Sequence, residues 1–323
     1  MPVNVARALL PKGTIIGKTC NTPDHVKKAI AEGVDYVGIG PVWGTLTKKV
    51  SSPVVGPKGI GEMLETLDGS SVKAVAIDPR SASQKLSKII HAFYDSSLRT
   101  FSEPRAAPYS LDGIKSALGT MLASVKEFSP LVHQITNNVV TNQSANATLA
   151  LGASPIMATA PEEMADLSKA IGALLINFGT IQNLDGMLAA GLLSTWQATV
   201  IKGNAAELGA IANSLEVQAR GVDSVGKGFA DPAKFVLDLA RKQRCIVVLT
   251  GVTDWVSDGT VVIRLSNGHP LLGDITGSGC MVGTCVATFC AGVSMAAFAK
   301  RSADAEEDGR LVRGDMLLAA VGG

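Results

Sequence analysis

The chain has 323 residues, long enough for two domains and a sizeable core. It is 46% hydrophobic but only 4% aromatic, with 34 glycines, a composition that suits closely packed α/β layers. Basic and acidic side chains nearly cancel, 29 against 28, and no basic tract stands out, which excludes nucleic acid as an expected partner.

Five cysteines stand at positions 20, 245, 280, 285 and 290. An odd count without paired spacing argues against a disulfide framework and for a reducing compartment, so a cytoplasmic location is expected. Cys280, Cys285 and Cys290 recur every five residues, which turns each about 140° from the last on a helix and denies them a shared metal-binding face. The four histidines add no ligand spacing. The N-terminal "MPVNVARALLPKGTIIGKT" lacks the long apolar run of a secretory leader.

The first hundred residues alternate strand and helix. "GTIIGKT" (13–19) reads as a buried strand and "TPDHVKKAIAEG" (22–33) as a helix capped by Thr22 and ended at Gly33. "VDYVGIGPVW" (34–43) is the next strand, followed by the loop "GTLTKKVSSPVVGPKG". The helical "IGEMLETLDG" and a third strand, "VKAVAID" (72–78), complete the pattern. Strands separated by single helices imply a parallel sheet with right-handed crossovers.

The stretch "GKTCNTPDHVKKAIAEGVDYVGIGPVWGTLTKK" resembles the second half of thiamine-phosphate synthase, a TIM-barrel family. The resemblance implies a phosphate site at Thr45, Thr47 and Lys48 in "GTLTKK", and contact of Thr19 with a pyrimidine. It covers about residues 13–78. The strands that carry the family's magnesium-binding aspartates have no counterpart, and "AIDPRSASQ" replaces a Gly-Gly phosphate turn. Three or four strands cannot close a barrel that needs eight, so residues 1–105 are expected to be a partial (βα) remnant without synthase activity.

"SSLRTFSEPRAAPYS" (96–110) has the texture of a linker. Beyond it "SLDGIKSALGTMLASVKEF" (110–128) is a capped helix, "PLVHQITN" a strand and loop, and "VVTNQSANATLALGA" a helix. "SPIMATAPEEMADLSKAIGALLINFGT" follows as strand, helix and strand. Later, "CIVVLTG" (245–251) is a β-branched core strand and "GTVVIRLSNG" an alternating one.

The last feature is "GDITGSGCMVG" (273–283). A glycine-rich turn that opens a helix offers backbone N–H groups and a positive helix end to an anion. Its bland alternative is a turn into a buried helix, with Cys280 as small core filler. Residues 275–299 carry no charge and are long enough to span a bilayer. They begin in a glycine turn, are dominated by small residues and lack aromatic anchors, so a helix buried in a soluble domain is expected and no membrane partner.

Five stretches in order resemble hydroxyethylthiazole kinase, of the ribokinase-like class: "PLVHQITNNVVTNQSANATLALGASPIMA", "ALLINFGT", "IKGNAAELGA", "VVLTGVTDW" and "DITGSGC". The order of the two resemblances is that of fungal-type bifunctional thiamine enzymes. The kinase resemblance implies a three-layer α/β/α domain over residues 106–323. It also implies ATP and Mg2+, hydroxyethylthiazole as small-molecule substrate, and a homo-oligomer, trimeric in its kinase half. Gly277, Ser278 and Gly279 would form the anion hole, with Gly277 also touching substrate. Cys280 would stand beside the attacking hydroxyl, where most ribokinase-like enzymes carry aspartate. Lys202, Thr250 and Gly251 would meet ATP, Glu207 would order magnesium, and Asn137 and Met157 would line the thiazole pocket. Without the resemblance, "NxxE" at Asn204 to Glu207 is a helix cap and Met157 core filler.

One departure bears on activity. "NLDGMLAAG", read as a helix, runs directly into another helical stretch, "LLSTWQATVIKGN", with no strand between, so about one βα unit is missing near Gly191–Leu192. "KRSADAEEDGRLVRGD" reads as a charged insert, and "MLLAAVGG" stops where another helix is expected. The alternative to an active kinase is therefore a catalytically dead splice or gene-model fragment.

Overall fold

The structure, a computed structural model, describes residues 2–42, 55–76, 109–178, 198–214, 218–220, 223–225, 228–300 and 312–323. The described residues divide into two compact units, one up to residue 76 and one from residue 109 onward. The expected loop at Thr45, Thr47 and Lys48, the turn replacement after residue 76, most of the linker, the break at Gly191–Leu192 and most of the charged insert lie outside the described residues.

In the first unit, α1 (Val3–Leu9), β1 (Gly17–Cys20), α2 (Pro23–Ala31), β2 (Tyr36–Ile39), α3 (Gly56–Leu67) and β3 (Lys73–Ala76) follow in order. The strands form a parallel sheet ordered β1-β2-β3. Thr22 caps α2 as its sequence demands, its hydroxyl accepting from the His25 amide at 3.2 Å. Cys20, Val37 and Ile39 bury one sheet face against Val26, Ala29, Met63 and Leu64 of α2 and α3. Thr19 lies on the other face, exposed. The expected βα units are present; among the described residues they make an open three-stranded sheet and no closed barrel.

The second unit begins with α4 (Leu111–Phe128), capped by the Ser110 hydroxyl. β4 (Leu131–Ile135), α5 (Thr141–Leu151), β5 (Ser154–Ile156), α6 (Met164–Ala170) and β6 (Ala173–Ile176) build a parallel sheet ordered β5-β4-β6. A second sheet, ordered β12-β11-β10-β7, joins β7 (Val200–Gly203), β10 (Ile246–Leu249), β11 (Asp254–Ser257) and β12 (Val262–Leu265). The end of "LLSTWQATVIKGN", expected to be helical, is thus a strand: the β-branched Val200 and Ile201 join the parallel ladder with β10. Here β7 and β10 are parallel, while β11 runs antiparallel to both β10 and β12. Between β7 and β10 lie α7 (Ala205–Ala212), a small β8–β9 pair (Gln218–Arg220, Asp223–Val225) and α8 (Pro232–Gln243). Helices α9 (Ser278–Ala299) and α10 (Met316–Gly322) complete the described part.

The alternation of β10 shows the layering. Ile246 and Val248 pack with Val286 and Phe289 of α9 and with Met316 and Leu317 of α10. Val247 and Leu249 pack on the opposite face with Leu208 of α7 and Val236 and Leu239 of α8. A strand buried on both faces carries a continuous apolar run, which is why "CIVVL" could be read as core. Helices on both faces give the expected mixed α/β/α arrangement.

Helix α9 is 22 residues long and apolar enough to cross a membrane, with a mean hydropathy of 1.7. In this fold it is the helix on which α4, α5, α10 and β6 pack. Its small residues let neighbours approach closely: a Cβ on Gly292 would stand 2.6 Å from Val125 Cγ2 and 3.0 Å from the Val125 Cα. Because part of that obstacle is backbone, Gly292→Ala must force α4 and α9 apart. The expected cost is about 1–3 kcal/mol, read as a lower midpoint in urea denaturation; an unchanged midpoint would contradict this packing.

Candidate active site

The candidate site residues of the second unit gather around the C-terminal ends of parallel strands, where open α/β sheets bind ligands. Leu249 of β10 is paired with Gly203 at the end of β7. Thr250 continues the pairing, its amide donating to the Gly203 carbonyl at 2.9 Å. The next turn is closed by Asp254, whose Oδ1 accepts the Gly251 amide at 2.8 Å before β11 begins.

After β7 the chain enters α7 through a reciprocal cap. The Asn204 side chain accepts from the Glu207 amide at 2.9 Å, and Glu207 Oε2 accepts from the Asn204 amide at 2.8 Å. Glu207 therefore does what "NxxE" does on local grounds alone, and holds its carboxylate at the end of β7 while doing so.

Helix α9 starts at Gly277, with φ +85°. A Cβ there would lie 2.3 Å from Val140 Cγ1, so both the left-handed backbone and the close approach require glycine. No side chain caps this helix, and its first turn holds no acid. The Ser278 amide donates to the Ile275 carbonyl at 3.3 Å. Among the described residues, the Gly279 and Cys280 amides meet no acceptor, leaving donors and a positive helix end for an anion.

Lys202 reaches this turn from β7. Its Nζ stands 3.2 Å from where a Cβ on Gly279 would be, so a side chain at that position would crowd the ammonium. Burial pushes the Lys202 ammonium below its ordinary range, while Glu207, Cys280 and Asp254 act in the opposite direction. Among the described residues it forms no ion pair within 4 Å. All five cysteines are free thiols. Burial raises the Cys285 thiol and pushes Cys290 up to about 12, which suits core filler; Cys280 alone opens the helix beside Lys202.

The structure thus brings together Gly277, Ser278, Gly279, Cys280, Lys202 and Glu207, with Thr250 and Gly251 on the adjoining strand end. Asn137 follows β4, buried, its Oδ1 accepting the Val139 amide at 3.1 Å. It joins the site through Val140, which touches Gly277. Met157, half-buried, follows β5 on the same sheet edge, beside Ala158, whose carbonyl meets His133 Nε2 at 2.8 Å. Thr19 belongs to the first unit. Sequence reasoning missed Asp254; its signal was the acid placed to close the turn after Thr250 and Gly251.

A model of the Hydroxyethylthiazole kinase family matches residues 122–191 and 186–305, more than half of the chain. The chain belongs to the hydroxyethylthiazole kinase family. Residues 1–85 match a model described as Thiamine monophosphate synthase. The chain is 30% identical to a "Probable thiamine biosynthetic bifunctional enzyme" of Schizosaccharomyces pombe, over 88% of this chain and 67% of that one. It is 37% identical to a hydroxyethylthiazole kinase of Methanocella arvoryzae, over 54% of this chain and 77% of that one. A solved hydroxyethylthiazole kinase protein from Pyrococcus horikoshii OT3 is 26% identical, covering 64% of this chain and 92% of that one, with a TM-score of 0.41. The kinase-family match comes in two stretches that meet at 186–191, beside the expected break at Gly191–Leu192. The alignment with the yeast relative runs over 351 positions, more than the 323 residues present, so that relative has stretches without counterpart here.

The lowered pKa of Lys202 carries a sign for stability. At neutral pH the folded state holds a charge it disfavours, a cost that fades as pH rises through the lowered folded-state value and is gone above the ordinary value of 10.5. Lys202→Met should therefore raise the melting temperature at pH 7, with a smaller gain above pH 10.5. A fall at pH 7 in differential scanning calorimetry would show that the ammonium stabilises the empty fold.

Proposed function

We propose that the second unit transfers the γ-phosphoryl group of ATP to the hydroxyl of 4-methyl-5-(2-hydroxyethyl)thiazole, a step of thiamine biosynthesis. The observation that carries this reading is the uncapped start of α9, with the Lys202 ammonium 3.2 Å from the Gly279 Cβ position. Family membership supports the substrate class. Phosphoryl transfer depends mainly on placement and charge neutralisation, which amides, a helix end and a lysine supply.

In this reading the Gly277, Ser278, Gly279 and Cys280 backbone cradles the transferred group, and Lys202 offsets its charge. Lysine keeps the charge of the arginine frequent at this position in the family but not its two-pronged geometry. Thr250 and Gly251 border the nucleotide, and Asn137, Met157 and Gly277 border the thiazole. The alcohol oxygen bonds to phosphorus, the bond to the β-phosphate oxygen breaks, and ADP leaves. Cys280 either orients the alcohol or takes up its proton.

Among the described residues no three His, Cys, Asp or Glu side chains could hold a metal together. Mg2+ needs no such cluster, since it is commonly held by one or two carboxylates plus substrate phosphates. Glu207 and Asp254, both acting on Lys202, are the carboxylates that would hold it. Magnesium would supply further neutralisation of the phosphates.

Cys280 separates this reading from core filler. Cys280→Ala should lower kcat about 10²–10⁴-fold while leaving the KM for ATP nearly unchanged. Cys280→Asp should keep or raise the rate, because it restores the carboxylate of most ribokinase-like enzymes. A fully active Cys280→Ala would return the residue to packing alone.

A second reading, a catalytically inactive fragment, is favoured by the split family match at 186–191 and by the unmatched stretches of the yeast relative. Failure of the intact chain to phosphorylate hydroxyethylthiazole would select it. We further propose that the first unit lacks synthase turnover; its open three-stranded sheet among the described residues supports this. The working kinase is proposed to be a cytoplasmic homo-oligomer, trimeric in its kinase half. Light scattering should give a multiple of the chain mass, and an active monomer would refute the assembly.

A further inference from the structure

Helix α9 meets β4 and β6 with an unusually smooth face. Gly283 lies over Leu175, Ala287 and Ala291 pack with the cluster around Val132, and Thr284 falls between them. Small residues offer no large knob to set how far a helix slides along a sheet. Towards its C-terminal end the close contact of Gly292 with Val125 sets the position. Towards its N-terminal end, where the anion turn sits, the sheet supplies a polar group instead.

Gln134 of β4 is 1% exposed, and Thr148 and Thr284 are fully buried. The Thr284 hydroxyl donates to Gln134 Oε1 at 3.0 Å, and Gln134 Nε2 donates to Thr148 Oγ1 at 2.7 Å. Thr148 passes its own proton to the Ser144 carbonyl at 3.0 Å. Since Thr148 spends its proton there, it can only accept from Gln134, so the amide orientation follows and Thr284 must donate. One side chain thereby ties β4, α5 and α9 together. Thr284 lies four residues after Cys280, on the same helix face, and Gln134 lies three residues before Asn137.

We propose that Gln134 is a positioning residue for the phosphotransfer site, its buried carboxamide fixing the register of α9 and hence where the Gly277–Cys280 turn stands relative to Asn137. Buried polar groups are best attested as register devices of this kind. The inference rests on the proposed kinase reading, and a misplacement of about 1 Å in such a site can cost about 100-fold in rate.

The test compares Thr284→Ser, which keeps the hydroxyl, with Thr284→Val and Gln134→Met, which keep the bulk and lose the bond. Kinetics are taken on the full chain and normalised to folded protein. Thr284→Ser should stay within about twofold of wild type. The other two should lose about tenfold or more in kcat, with the KM for ATP within about threefold; each should also lower the melting temperature, because it leaves a buried polar partner unpaired, an effect that normalisation to folded protein removes from kcat. If either fails to fold, the triple change Gln134→Met, Thr148→Val, Thr284→Val leaves no polar group unpaired and serves in its place. Wild-type kcat in the folded apolar variants overturns the proposal. If the wild-type chain does not phosphorylate at all, the kinase reading has failed separately. Register is then read from the rate at which iodoacetamide alkylates Cys280, followed by peptide mass spectrometry. Thr284→Val should change that rate about fivefold or more and Thr284→Ser should not; equal rates in all three proteins overturn the proposal.

Discussion

Two positive ends meet in this protein. The start of a 22-residue helix, without a capping side chain or first-turn acid, faces the ammonium of Lys202, drawn partly out of water. Neither arrangement is favourable in the empty protein: burial disfavours the charge, and the helix leaves amide donors unmet. Three groups that can carry negative charge act on the lysine from nearby, yet none of the described residues pairs with it within 4 Å. A fold that concentrates positive potential at a strand end stores an affinity for polyanions. The rest of the second unit can be understood as the means of holding those two ends together.

That holding is done by ordinary α/β construction. Parallel pairing of β7 with β10 puts Gly203 and Thr250 side by side, so the lysine and the Thr250–Asp254 turn open at the same sheet end. Glycine at 277 lets the helix begin against Val140, at the entry to α5, which couples the glycine turn to the loop that carries Asn137. A helix poor in large side chains can approach its neighbours this closely, and a buried glutamine takes over the task that bulky residues perform elsewhere.

Much of this was readable one residue at a time. Thr22 and Ser110 announce their helices because a hydroxyl before an amphipathic run satisfies a free amide, and both do so. The "TGSGC" turn was legible because its glycine is needed locally. Strand ends were less so: residues 34–43 read as one strand, but pairing covers Tyr36–Ile39, and Pro41 just beyond has no amide to donate. Helix α1 and strand β11 went unread, being short and without clear periodicity. Glu207 shows why spacing alone is ambiguous, since the same carboxylate that caps α7 also faces the lysine. The bond between Thr284 and Gln134 joins residues 150 positions apart, and no local pattern foretells it.

The most direct test is to follow the full chain with ATP, Mg2+ and hydroxyethylthiazole by 31P NMR. A new phosphate monoester resonance should grow in step with ADP and depend on the thiazole alcohol. ATP left intact in the presence of the alcohol, by protein whose melting temperature ATP nonetheless raises, would show an anion site that binds but does not transfer, and would contradict the proposed function.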